Sequence, residues 1–286
     1  AVMGLETDCR LFFERTDTSD MAIDTCVLAQ KDYIVGMRRY FHAHPEVSLK
    51  EFQTSARIEE ELDKVGIEHT RVGETGVYAR VVGKKVGEGK TKIVALRADM
   101  DALGMEDLKN CEYSSQNPGF CHACGHDGHT ATLLAAARIL KSMENDFAGE
   151  VRFFFQQAEE IGQGARQFVA AGLLEGVDRI YGQHVTNTLN VGQVGVVAGP
   201  LNASCDFFRI EVKGKGAHVS MPHKGVDALY VASQIVVAVQ SIVARSTDPM
   251  ESAVVGIGKA WAGTQYNIVA EEAVLEGTVR TFLPEV

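Results

Sequence analysis

Apolar and polar positions recur with two different periods along this chain, and each change of period marks an element. Residues 1–27 hold no sustained period and carry mixed charges, so they are expected to form a loosely attached leader. A helical pattern runs over 28–44 and stops at Pro45, which disfavours helix at the residue before it. Helical spacing returns at 55–66, in the Ala/Leu-rich stretch 130–143, and at 164–174. Between these lie strand-like runs at 76–83, 92–100, 150–160 and 178–185. The runs are apolar almost throughout, which predicts a sheet buried on both faces in an α/β arrangement.

The texture changes near Gly199 and Pro200. A strand at 207–214 leads through a Gly- and His-containing loop into a long helix at 226–245, followed by strands at 253–261 and 271–282 with no crossover helix between them. The expected organisation is therefore an α/β domain over 28–198, with a mixed sheet flanked by helices, and a smaller α+β domain over 199–286.

Composition narrows the range of functions. With 286 residues and 45% hydrophobic content the chain can bury a substantial core. Its net charge of −10 and lack of any basic cluster argue against nucleic acid, whose binding relies on Lys and Arg against phosphates. Apolar runs such as 231–243 are broken by Ser and Gln and are too short to cross a bilayer, and no signal-peptide core is seen, so a cytoplasmic location without membrane association is expected. The six cysteines, Cys9, Cys26, Cys111, Cys121, Cys124 and Cys205, are too sparse for a disulfide scaffold, and reduced thiols are expected. Cys121 and Cys124 form a CxxC, but no second pair accompanies it as a zinc ribbon requires.

The candidate chemistry lies at strand ends. In an open α/β sheet ligands bind beyond the carboxyl ends of the strands. Asp99 ends one expected strand, Glu159 and Glu160 the next, and His184 a third, while HACGHDGH at 122–129 precedes a helix. A thiolate, imidazoles and a carboxylate suit Zn, Mn, Co or Ni rather than Ca or Mg. Gly125 between Cys124 and His126 allows a tight loop, and Asp127 and His129 are candidates to orient the ligating imidazoles. If Glu159 and Glu160 lie in a turn past their strand, one can bind metal while the other moves a proton. Singly each residue has an ordinary reading: a loop cap for Asp99, solvated carboxylates, a core histidine, a buried thiol. Cys124 also admits a reading as a nucleophile paired with a histidine.

The motifs RADMDAL (97–103), HACGHDGHTATLLAAA (122–137), QQAEEIGQGA (156–165), GQHV (182–185), GKGAHVSMPHKGVDAL (214–229) and GTVRTF (277–282) resemble the di-metal amidohydrolases of the aminoacylase and glutamate-carboxypeptidase peptidase family, the group that includes hippurate, aminobenzoyl-glutamate and auxin-conjugate hydrolases. The resemblance covers about residues 30–286. It implies a zinc-exopeptidase-like catalytic domain with an inserted lid and dimerisation domain. It also implies two divalent metal ions, with Cys124 bridging and His126, Glu160 and His184 completing most of the shell, Glu159 as acid/base and Asp99 behind the ligands. The substrate class it implies is a small N-acyl amino acid or dipeptide-like amide. In the implied homodimer His218 reaches the partner's site to stabilise an oxyanion, and Asn267 and Arg280 hold the substrate carboxylate. The resembling proteins extend further and add one more metal-binding histidine, so the alternative is a metal- or amide-binding protein without catalysis or an inactive fragment of such an enzyme. The chain departs from the family pattern at Gly104, Cys121, Gln157 and Ile161, where Pro, Met, Pro and Gly are common.

Overall fold

The computed structural model describes residues 25–87, 91–196 and 198–286, so the expected leader falls almost wholly outside the described residues. The described residues form two compact units, one within Phe12–Gln193 and one within Val194–Val286. Among them, no helix is long and apolar enough to cross a membrane.

The first unit runs α1 (Lys31–Ala43), α2 (Phe52–Asp63), β1 (Glu68–Val72), β2 (Gly76–Lys84), β3 (Ile93–Asp99), α3 (His126–Ser142), β4 (Ala148–Gln156), α4 (Gly164–Ala170) and β5 (Arg179–Gly182). Its mixed sheet has the order β1-β2-β4-β3-β5. Strand β3 pairs in parallel with both β4 and β5, whereas β1 and β2 add as an antiparallel hairpin beside β4. Because β3, β4 and β5 run the same way, their carboxyl ends share one rim.

Three consecutive phenylalanines show how the sheet is covered. Phe153 and Phe155 pack with Phe41, Ile58, Leu62 and Leu134 from the helices on one face. Phe154, pointing the opposite way on the pleat, packs with Val72, Ala95 and Phe168 on the other. All three are at most 2% exposed, and each contributes on the order of 2–3 kcal/mol of apolar burial. Strand β5 departs from the expected two-sided burial: all four of its residues are exposed. Among the described residues it lies at the sheet edge, with β3 as its one strand neighbour. Strand β1 had no clear signal because its five residues, EHTRV, are mostly polar; its register comes from the hairpin with β2.

The second unit comprises β6 (Asp206–Lys213), α5 (Ala228–Ala238), β7 (Ala253–Ala262) and β8 (Glu272–Thr281). Its antiparallel sheet has the order β6-β8-β7, and α5 packs Ala228 and Ala232 against Ala273 and Leu275. Regular α-helix ends at Ala238, short of the expected 245, and a π-helical segment follows at Ile242–Ser246. Asp227 caps α5, its carboxylate accepting from the Leu229 and Tyr230 amides.

Candidate metal centre

The rim beyond β3, β4 and β5 gathers acidic, imidazole and thiol side chains. Asp99 closes β3 and is 1% exposed. Strand β4 ends at Gln156, and the next residues form a turn closed by the Gly162 amide on the Glu159 carbonyl at 2.8 Å. Glu159 and Glu160 therefore lie past the pleat and reach the same place, where one oxygen of each and a nitrogen of His126 lie within 4.8 Å of one another. His184 follows β5 by two residues. Its Nε2 lies 3.2 Å from Cys124 Sγ, and Cys124, His126 and His184 form a second such group of three.

Gly125 makes this convergence possible. It has φ +89°, and a Cβ there would meet Val185 Cγ2 at 2.4 Å. The loop before α3 thus lies directly on the segment after β5, which brings Cys124 to His184.

Hydrogen bonds set the orientation of both imidazoles. His126 Nδ1 bonds the Asp101 carbonyl at 2.8 Å, and His184 Nδ1 bonds the Val185 carbonyl at 2.6 Å. A carbonyl can only accept, so each Nδ1 carries a proton, and in the neutral imidazole each Nε2 then presents its lone pair. His126 Nε2 is buried with no hydrogen-bond partner, 3.8 Å from Glu160 Oε1, which is equally buried and unpartnered. Unsatisfied buried polar atoms are costly, and a divalent cation between such donors removes the penalty. The donor set of sulfur, two imidazole nitrogens and a carboxylate suits a first-row divalent metal. The residues present therefore fit the metal pair that the resemblance implies.

Electrostatics agree. Burial, together with the charges of Glu160, Glu159 and Asp99, pushes the Cys124 thiol up to about 12. A cysteine nucleophile needs the opposite shift, so this environment disfavours that reading. Burial lowers His126, but its bond to Asp101 and the Asp99, Asp101 and Glu160 charges outweigh it and raise the imidazole above its ordinary value. Burial also raises the Glu159 carboxyl; the His126 charge opposes this and the Glu160 and Asp99 charges add to it.

Asp99 and His129 stand behind these groups. One Asp99 oxygen bonds His129 Nδ1 at 2.6 Å and lies 3.6 Å from His126 Nε2. His129 Nε2 accepts from the Val185 amide at 2.9 Å, so both His129 nitrogens are engaged by protein and hold the His184 segment in place. Asp127 is directed elsewhere: its carboxylate bonds His42 Nδ1 at 2.6 Å and Arg38 at 2.9 Å, not His126 or His184. One residue along a helix turns the side chain by about 100°, which carries Asp127 off the face that His126 presents.

Two supporting residues escape a reading of the sequence. Asp101 accepts from the Glu160 amide at 3.0 Å and from Ser48 Oγ at 2.6 Å while its carbonyl holds His126, so one residue positions two candidate ligands. The signal was present, since Asp99 and Asp101 are two apart at a strand end and share a side. Glu51, fully buried, accepts from Thr75 Oγ1 at 2.7 Å and from the Ala158 amide at 2.8 Å, and nothing local in the sequence marks it.

In the second unit His218 is exposed, and its Nδ1 accepts from the Ser220 amide at 3.2 Å, which leaves the proton on Nε2. Asn267 lies close by, its carbonyl accepting from Val219 N at 3.1 Å, and its side-chain Oδ1 is buried without a partner. Arg280 lies near the far end of β8, which begins at Glu272. Arg280 is the last residue but one of that strand, paired with Val254 of β7.

Comparison with known proteins points the same way. The model of peptidase family M20/M25/M40 matches residues 95–272. The chain is 43% identical over 254 residues to an N-acetyl-L-cysteine deacetylase of Bacillus subtilis, covering 88% of this chain and 60% of that protein. It is 42% identical over 252 residues to IAA-amino acid hydrolase ILR1-like 4 of Arabidopsis thaliana, covering 88% of this chain and 56% of that protein. A Bacillus subtilis crystal structure described as a dinuclear metal binding peptidase from the M20 family superposes with a TM-score of 0.70 at 39% identity, over 90% of this chain and 66% of that one. The chain thus spans about three fifths of the length of the two sequence relatives.

Proposed function

Since this chain belongs to peptidase family M20/M25/M40, we propose that it forms most of the active site of a metal-dependent amidohydrolase that cleaves small N-acyl amino acids or dipeptide-like amides. The observation that carries this reading is the pair of buried, unpartnered donors, His126 Nε2 and Glu160 Oε1, beside the Cys124–His184 contact. Cys124, His126, Glu160 and His184 would hold two divalent metal ions. When bound, such ions polarise the scissile carbonyl and lower the pKa of water toward about 7. Glu159, adjacent to the ligands, takes the proton from the attacking water and returns it to the departing nitrogen. Asp99 and His129 keep the His184 segment in register, and Asp101 holds Glu160 and His126.

The second unit would act as lid and dimerisation domain. His218, with its proton on the outward nitrogen, donates to the developing oxyanion. In a homodimer built through this unit, His218 would serve the partner's site, and Asn267 and Arg280 would hold the substrate carboxylate. A cytoplasmic setting is consistent with the free thiols of Cys26, Cys111, Cys121, Cys124 and Cys205.

The experiment is hydrolysis of N-acetyl amino acids before and after chelation and after Zn, Mn, Co or Ni is restored, alongside Glu159→Ala. The reading requires turnover that chelation or Glu159→Ala abolishes while the fold persists. Full activity after either change overturns it, and metal binding without turnover favours a non-catalytic binding protein.

A further inference from the structure

A second group of metal-type donors lies apart from the site above. His42 from α1, Asp107 and Cys121 each place one ligand atom within 4.8 Å of the others. His42 is 1% exposed, Cys121 4%, and the Asp107 side chain 4%. The proposed hydrolysis uses none of them.

The arrangement is oriented for a cation. Asp127 accepts from His42 Nδ1 at 2.6 Å, so the lone pair of Nε2 faces the group, the carboxylate–histidine pairing found behind metal ligands. Nε2 lies 3.5 Å from Asp107 Oδ2. A cation already occupies that position: the Lys109 ammonium is 3.2 Å from His42 Nε2 and 3.6 Å from Asp107 Oδ1. Lys109 is 48% exposed, so it can swing into water at little cost. His122 is 4% exposed, has no partner at either ring nitrogen, and lies with its ring 6.4 Å from that of His42.

These residues also sit where a cross-link is most useful. The connection between β3 and α3, residues 100–125, contains no helix or strand among the described residues. Connections that long are uncommon without a function or a tether. Asp107 and Cys121 lie towards its two ends, and His42 belongs to the packed helical layer.

We propose that His42, Asp107 and Cys121 form a structural site for a borderline-soft divalent metal such as zinc, which staples the 100–125 connection to α1. On binding, the Cys121 thiol releases its proton to water, the Lys109 ammonium withdraws into solvent, and a solvent molecule completes a four-coordinate shell. Charge balances in both states, with ammonium against carboxylate before binding and metal against carboxylate and thiolate after it. The site needs neither the catalytic metals nor turnover.

Cobalt(II) titration of the whole chain carrying Cys124→Ala, which removes the sulfur of the other site, tests this. The expected result is a thiolate-to-cobalt charge-transfer band that disappears when Cys121→Ser is added. Asp107→Asn weakens the binding at least tenfold and Lys109→Ala tightens it at least tenfold. A band that survives Cys121→Ser, no band at all, or an affinity unmoved by Lys109→Ala overturns the proposal. If Cys124→Ala does not fold, zinc stoichiometry decides: Cys121→Ser binds one equivalent fewer than the unmodified chain, and equal stoichiometry overturns the site. Because the band is read without Cys124, failure of the hydrolytic reading leaves this result intact.

Discussion

The Glu51 carboxylate accepts a hydrogen bond from the Ala158 amide at 2.8 Å, across a separation of 107 residues. Ala158 is a non-glycine residue with φ +50°, immediately before Glu159 and Glu160. A conformation of that kind costs on the order of 1–3 kcal/mol and persists only where its surroundings enforce it. Glu51 is the enforcing group, with Thr75 on its other oxygen. Glu51→Ala leaves two buried donors unpartnered, each costing roughly 1–3 kcal/mol, and frees the turn. The expected outcome is a lower melting temperature and at least tenfold weaker zinc binding, with Glu51→Gln, which keeps an oxygen for Ala158, retaining most of both. Calorimetry on the two variants checks it; unchanged zinc affinity in Glu51→Ala would show that the turn does not depend on this bond.

The adjacent carboxylates have different assignments and so fail differently. Glu160→Gln is expected to weaken metal binding, whereas Glu159→Gln keeps the metals and lowers turnover by about 10²–10⁴-fold, the usual worth of a positioned proton shuttle. Equilibrium dialysis and steady-state hydrolysis on the same preparations separate the two roles. The same loss of metal in both would remove the distinction.

Gly125→Ala places a Cβ at 2.4 Å from Val185 Cγ2 on a backbone at φ +89°. The neighbouring segments must separate, pulling Cys124 away from His184. The variant is expected to lose on the order of 1–3 kcal/mol of stability together with metal affinity. Urea unfolding and cobalt titration measure these, and a variant that binds cobalt normally would contradict the close approach.

Acid stability of the metal-free protein reports on Asp99. Burial raises this carboxyl, but the bond from His129 and the charges of Arg97, His126 and His129 outweigh it and hold it at about 2 against an ordinary 3.8. A depressed folded-state pKa contributes stability that is complete above pH 3.8 and is lost as pH falls through about 2. For this buried group the contribution is roughly 2 kcal/mol. Asp99→Asn is therefore expected to be less stable at pH 5 and to show a shallower loss between pH 4 and 2, read by urea unfolding at each pH. An unchanged slope would mean that other carboxylates dominate acid unfolding.

The parts of this protein that follow from local pattern were legible in the sequence, and those that rest on distant partners were not. The apolar runs of β3 and β4 and the positions of Asp99, Glu159, Glu160 and His184 at or just past strand ends need only the period of a strand and the rule for parallel sheet edges. Glu51 acts through a bond to a residue 107 positions away, which no local spacing encodes, and Asp101, although two residues past Asp99 at a strand end, reveals its partner 59 positions away only in the fold. Asp127 shows the complementary error: adjacency to His126 in sequence suggested shared work, and the helical turn sends the two side chains to different partners. Exposed β5 likewise reflects its edge position, which its apolar composition does not reveal.

The most direct test of the central claim is the affinity of the chain for zinc when His184 is replaced by Ala, measured by equilibrium dialysis in a Cys121→Ser background. His184 is exposed, so its loss costs little fold stability, yet its Nε2 is directed at Cys124. Replacing a group behind a ligand typically costs 10–100-fold, so removing the ligand itself is expected to weaken zinc by about 100-fold or more. Zinc binding that is equally tight with and without His184 would contradict a metal centre built on Cys124, His126, Glu160 and His184.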